Sequence, residues 1–217
     1  MAEGKFITFE GGEGVGKSTQ AQLLAARLEA AGRHVELTRE PGGTPFAEHV
    51  RRLIRDPATA PRLVLAEMLM FYAARADHLE TLIRPALAAG HIVICDRFSD
   101  STRAYQGAAG GLPEKHVETL EHMVVGSLAP DMTIVLDLPV AEGLARIAAR
   151  RGTSGQDAAD VFEGRPAEFH ERLRQAFLAI AAGEPGRCIV IDAAQPEMAI
   201  AEQIWAAMTS RRLLALS

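Results

Sequence analysis

The sequence predicts an α/β fold, a three-layer, doubly wound parallel sheet of five strands, and three observations carry that expectation. Short aliphatic runs alternate along the chain with long helical patterns, the order that builds a parallel sheet with helices on both faces. The runs are four or five residues long and almost continuously apolar, as strands buried on both faces require. A glycine-rich segment stands between the first run and the first helix, where open sheets of this kind bind ligands at the carboxyl ends of their strands.

In chain order, Phe6–Phe9 reads as the first strand, and an Ala/Leu-rich helix runs from Lys17 to Ala31 after the glycines. His34–Thr38 is the second strand, Ile92–Cys95 the third between Gly90 and Asp96, Thr133–Leu136 the fourth and Cys188–Ile191 the fifth. Helical patterns occupy Phe46–Arg55, Arg62–Ala89, Glu114–Gly126, Val140–Arg151, Pro166–Ala182 and Glu197–Arg212. The small, polar stretch Gly152–Asp160 breaks this alternation, with arginines on both sides of it. It reads as a mobile lid over about residues 150–165, the alternative being an ordinary surface loop. Residues 1–217 then form a single domain carrying that insert.

Composition narrows the function. The 217 residues are 48% hydrophobic, enough for a full core without disulfides, and the formal net charge is −5. An acidic balance argues against a broad phosphate-backbone-binding surface, so no nucleic-acid partner is expected. Cys95 and Cys188 lie far apart in apolar runs without metal-ligand spacing and read as buried thiols of a reducing compartment. The N-terminus lacks a hydrophobic signal core, and no apolar stretch approaches the ~20 residues of a membrane span. A cytoplasmic, membrane-free protein is expected.

The strongest chemical signal is Gly11-Gly12-Glu13-Gly14-Val15-Gly16-Lys17-Ser18, followed by Thr19, which matches GxxxxGK[ST] in full between a strand and a helix. Glycines let successive N–H groups approach phosphate oxygens, and the helix start adds partial positive charge. Lys17 is expected on the β/γ-phosphates of ATP and Ser18 on Mg²⁺. The fold is therefore of the P-loop NTP hydrolase kind. Two strands end in a carboxylate suited to the metal side. Asp96 is followed at once by Arg97, whereas Asp137 precedes Leu138-Pro139 and a helix, where a strand-end role is simpler. We therefore assign Asp96 to the metal.

Arginines cluster at predicted loops and strand ends: Arg39, Arg75, Arg97, Arg146, Arg150, Arg151 and Arg165, with Arg103 read as a solvated surface charge. Together they suggest a second anion, as phosphoryl transfer between two nucleotides requires. Phe71 and Arg75, four apart, share a helix face. Spacing alone allows either a base-stacking pair or a core aromatic beside a surface cation.

Several segments together resemble bacterial thymidylate kinase. They are Phe9–Thr19, Thr38–Thr44, Leu69–Arg75, Asp96-Arg97-Phe98 and Ala104–Gly107, with the late Phe169–Arg174 helix extending the likeness over the whole chain. The resemblance implies transfer of the ATP γ-phosphate to dTMP, giving dTDP and ADP. It implies a thymine site in which Phe71 stacks on the base and Arg75 reaches a carbonyl. Thr102 and Gln106 lie at the base edge, and Tyr105 presses on the sugar beside Glu13. Arg39 and Arg97 hold the acceptor phosphate, with Asp96 near Mg²⁺. In relatives with an acidic P-loop, as Glu13 makes this one, the lid supplies the catalytic arginines. That implies donor-side roles for Arg146, Arg150 and Arg151, with Arg151, joined by Arg165, at the transition state. The chain departs from the pattern at Val161, where the family carries an arginine. The family is typically homodimeric; the apolar faces of Arg62–Ala89 and Glu114–Gly126 are candidates for such an interface, and a core role explains both equally well. A kinase for another acceptor and a non-catalytic nucleotide sensor are the rival readings.

Overall fold

Each aliphatic run forms a strand, and each strand ends on a charged residue: β1 (Lys5–Glu10), β2 (Val35–Arg39), β3 (Ile92–Asp96), β4 (Met132–Asp137) and β5 (Cys188–Asp192). The computed structural model describes residues 4–154, 161–211 and 213, without the side chains of 151–154. The sheet runs β2-β3-β1-β4-β5, and all neighbouring strands are parallel. The chain order reverses at β1, so the crevice beyond its carboxyl end is the topological switch point. Register brings Phe9 and Arg39 level with Asp96 on either side of β3, so these chain ends gather at one rim.

Alternate residues of each strand point to opposite faces, which fixes the three layers. Ile7, Phe9, Ile94 and Ile134 pack with Leu24, Leu28, Ile200 and Ile204 on one side, under α1 (Lys17–Ala30) and α9 (Glu197–Ser210). Phe6, Val93 and Cys95 face the other side with Met68, Tyr72 and Phe98, and Val135 joins Leu173 and Phe177 there. That second layer contains α3 (Val64–His78), α6 (Glu114–Val124) and α8 (Ala167–Gly183). α2 (Pro45–Arg55) begins at a Thr44 cap whose hydroxyl accepts from the Ala47 N–H. α7 (Val140–Ser154) leads into the insert, whose Gly155–Asp160 stretch lies outside the described residues.

Two departures from the sequence reading stand out. The long helical pattern begins at Val64 rather than Arg62, and passes through a π-helical turn, Leu79–Ile83, into α4 (Arg84–Ala88). A helical segment that apolar periodicity did not reveal runs from α5 (Ser99–Thr102) through a π-helical stretch, Arg103–Ala109. Its buried side chains include Ser99, Asp100, Thr102 and Gln106. A helix that packs polar groups inward has no apolar stripe to read.

Candidate active site

The P-loop is shaped by close backbone contact. A Cβ on Gly14 (φ +72°) would stand 2.2 Å from the Gly143 carbonyl oxygen, and one on Gly11 (φ +133°) 2.4 Å from that of Leu136. No acidic residue occupies the first turn of α1, so its partial positive end faces the loop unopposed. Lys17 is buried and donates to the carbonyls of Gly12 at 2.6 Å and Gly11 at 3.2 Å. Burial, reinforced by the Arg97 charge, lowers its pKa to about 8 against the opposing pull of Glu13 and Asp96.

The Ser18 hydroxyl donates to Asp96 Oδ2, while Asp96 Oδ1 is buried without a hydrogen-bond partner among the described residues. Hydroxyl and carboxylate oxygens of this kind suit a hard cation. Among the described residues no group of three or more His, Cys, Asp or Glu side chains forms a metal cage. The pair therefore fits Mg²⁺, which takes its remaining ligands from water and phosphate.

Arg97 adopts a left-handed backbone conformation (φ 74°), a strained geometry for a non-glycine residue at a functional edge. Its amide donates to the Phe9 carbonyl at 2.9 Å, and its guanidinium donates to Glu13 Oε1 at 2.9 Å. The Tyr105 hydroxyl donates to the same oxygen at 2.5 Å, and the guanidinium lies 5.0 Å from the Tyr105 ring centroid. Burial raises the Glu13 carboxyl, but Arg97, Lys17 and the Tyr105 hydroxyl outweigh it and hold the pKa at about 2. Glu10 supports the turn from below. It accepts from the Phe98 N–H at 2.7 Å, the Ser101 N–H at 3.2 Å and the Ser101 hydroxyl at 2.6 Å. Burial and the nearby Asp100 charge push its pKa up to about 7.

One cleft of about 640 Å³ joins these groups to the predicted acceptor residues. Of the predicted site residues with described side chains, all but Gly11, Gly12, Arg75 and Arg165 line it. Gly11 and Gly12 form the back of the loop. Arg75 is only 1% exposed, which excludes the surface-cation reading, and stands behind Thr102, donating to its hydroxyl at 3.1 Å. It also donates to Glu40 at 2.7 Å and the Phe98 carbonyl at 3.1 Å. A buried guanidinium stripped of its carboxylate costs about 3–5 kcal/mol, so Glu40 is the group that allows Arg75 to be there. Arg39 donates to Glu48 at 2.9 Å. On the donor side Arg146 donates to the Ala193 carbonyl at 3.0 Å, beside Gln195. The Arg151 side chain lies outside the described residues.

Two cations sit elsewhere than expected. Arg103 is no free surface charge: it pairs with Asp100 of α5, three residues before it, at 2.8 Å, and with Glu184, which the end of α8 brings alongside, at 2.6 Å. Arg165 is held by Glu67 at 2.8 Å and stacks on Phe162 and Phe169, away from the P-loop. The sequence reading also missed Glu10, Glu40, Glu67, Gly143 and Phe162. Phe162 lines the cleft, its ring centroid 6.0 Å from that of Phe71 and 5.9 Å from that of Tyr105. Its one sequence signal was its place just after Val161, in the departing lid motif.

Known proteins resemble this chain over most of its length. The family profile "Thymidylate kinase" matches residues 9–204. A thymidylate kinase of Nitrobacter winogradskyi is 50% identical over 212 residues, 98% of this chain and 91% of that protein. One of Caulobacter vibrioides is 52% identical over 193 residues, 89% of this chain and 90% of that protein. The crystal structure of thymidylate kinase from Ehrlichia chaffeensis superimposes with a TM-score of 0.74 at 35% identity, covering 95% of this chain and 99% of that one. With the P-loop, the Asp96-Arg97 turn and an aromatic-lined cleft in one continuous site, the chain belongs to the thymidylate kinase family.

Proposed function

We propose that this enzyme transfers the γ-phosphate of ATP to dTMP, giving dTDP and ADP. One observation carries the reading: a single cleft is lined by Lys17 and Ser18 of the P-loop, by Arg97, and by Phe71, Thr102 and Gln106. An oxygen of the dTMP phosphate attacks the γ-phosphorus in line, the bond to the β–γ bridging oxygen breaks, and ADP departs. The nucleophile is already anionic, so no general base is needed, and catalysis consists of positioning and charge neutralisation.

Gly11 to Thr19 wrap the donor phosphates, with Lys17 on the β/γ oxygens and Arg146 on the donor side. Ser18 and Asp96 would hold Mg²⁺, which when bound supplies positive charge to the phosphates. Arg39 and Arg97 take the acceptor phosphate, Phe71 stacks on thymine, and Thr102 and Gln106 meet its edge. Arg75 acts on that edge through Thr102, and Tyr105 and Glu13 border the sugar. Arg151 follows Arg146 and Arg150 in sequence and supplies the transition-state cation from a lid. The buried, unpaired thiols Cys95 and Cys188 fit a cytoplasmic location. A homodimer is supported by exposed apolar side chains on α2, α3 and α6.

The test is ADP release with Mg·ATP over a panel of nucleosides and monophosphates. The expected result is strong preference for dTMP, with Lys17→Ala and Arg151→Ala each slower by at least ~10³-fold. Preference for a nucleoside or for another monophosphate overturns the assignment. Turnover of Arg151→Ala within a few-fold of wild type removes that residue from the reaction.

A further inference from the structure

The acceptor end of the cleft rests on a buried carboxylate that the reaction itself does not use. Glu67, Phe71 and Arg75 occupy successive turns of one face of α3. Glu67 is 2% exposed, and Gln106 Nε2 donates to its Oε1 at 2.7 Å. Arg165 donates to both oxygens, at 2.9 and 2.8 Å, and Arg62 lies 3.7 Å away. These guanidinium groups compensate for burying the carboxylate.

This geometry has a directional consequence. A carboxylate compensated in this way accepts hydrogen bonds and offers none, so the Gln106 amide must turn its NH₂ toward Glu67. The carbonyl oxygen of that amide is left for the cleft, which Gln106 lines beside Phe71 and Thr102. A base stacked on Phe71 therefore meets an acceptor. Thymine presents an N3–H donor on its pairing edge, whereas cytosine presents a bare N3 acceptor.

We propose that Glu67 is a positioning residue that fixes the Gln106 amide, and so makes the cleft select an acceptor base with a donor at N3. The proposal rests on the dTMP reading above. Arg165 belongs to the same device, because its stacking on Phe162 ties the chain after the insert to the carboxylate that sets base selection.

The full-length enzyme with Mg·ATP provides the test, through kcat/KM for dTMP and dCMP in wild type, Glu67→Gln, Gln106→Leu and the double variant. A glutamine at 67 can donate to the Gln106 oxygen and release the amide to flip. The dTMP/dCMP ratio is then expected to fall by roughly five- to tenfold, the worth of one hydrogen bond. In the Gln106→Leu background the same change should leave the ratio where Gln106→Leu alone put it. A purely structural brace would lower both acceptors alike and keep the ratio, and that result overturns the proposal, as does full additivity. If wild type itself does not prefer dTMP, the functional reading fails instead, so the two failures are distinct. Should Glu67→Gln not fold, the side-chain amide protons of Gln106 in ¹⁵N-labelled wild type decide. Protection from solvent exchange supports the proposal, and free rotation and exchange overturn it.

Discussion

Glu10 ends β1 with both carboxyl oxygens occupied by the Phe98–Ser101 turn, yet it is a buried acid beside another acid. Its pKa rises from the usual 4.5 to about 7. Between those values the folded protein binds more protons than the unfolded chain, so this group's contribution to stability falls as pH rises through that window. Glu10→Gln should flatten the loss. Urea unfolding at about pH 5 and about pH 7.5 is expected to show a smaller drop for the variant than for wild type. Equal drops would mean that the raised acid lies elsewhere. Lys17, lowered to about 8, titrates above this interval and does not confuse it. Lys17, Ser18, Asp96 and Arg97 were legible because a spaced motif and a strand end announce them. Glu10, Glu40 and Glu67 were not, because each takes its role from a partner 35 or more positions away that only folding brings near.

Among the elements, the P-loop and α7 are joined through two glycines. Gly14 packs on the carbonyl of Gly143, and a Cβ on Gly143 would in turn approach the Glu13 carbonyl to 2.5 Å. That carbonyl is backbone and cannot swing aside, so the clash costs about 1–3 kcal/mol or displaces the loop. Gly143→Ala is expected to raise KM for Mg·ATP in steady-state kinetics. Gly186→Ala, where the added methyl meets nothing within 4 Å, should leave KM unchanged. Pattern reading found the strands and most helices because their buried faces are aliphatic. It stopped short of every strand's charged last residue, and it passed over Ser99–Ala109, whose inward face mixes buried polar groups such as Asp100, Thr102 and Gln106 with Ala104, Tyr105 and Ala109.

At the scale of the whole molecule, the described surface carries apolar side chains that the core does not absorb. Leu63 is 80% exposed, Leu69 48%, Phe46 51% and Met123 73%. On the homodimer proposed above, these side chains are the candidate association surface. Sedimentation equilibrium is expected to give twice the chain mass, and Leu69→Glu to shift the protein toward monomer. A monomeric wild type would sink the homodimer. The sheet beneath that surface divides its residues sharply. At the rim stand Glu10, Arg39, Asp96, Asp137 and Asp192, one at the end of each strand. One step back lie Phe9, Cys95, Leu136 and Ile191, whose duty is to fill volume. A lineage can exchange such fillers for others of similar size over long descent while its chemistry stays put. Innovation in reaction type falls to the rim, where a single replacement changes what the sheet offers a ligand and leaves its interior untouched.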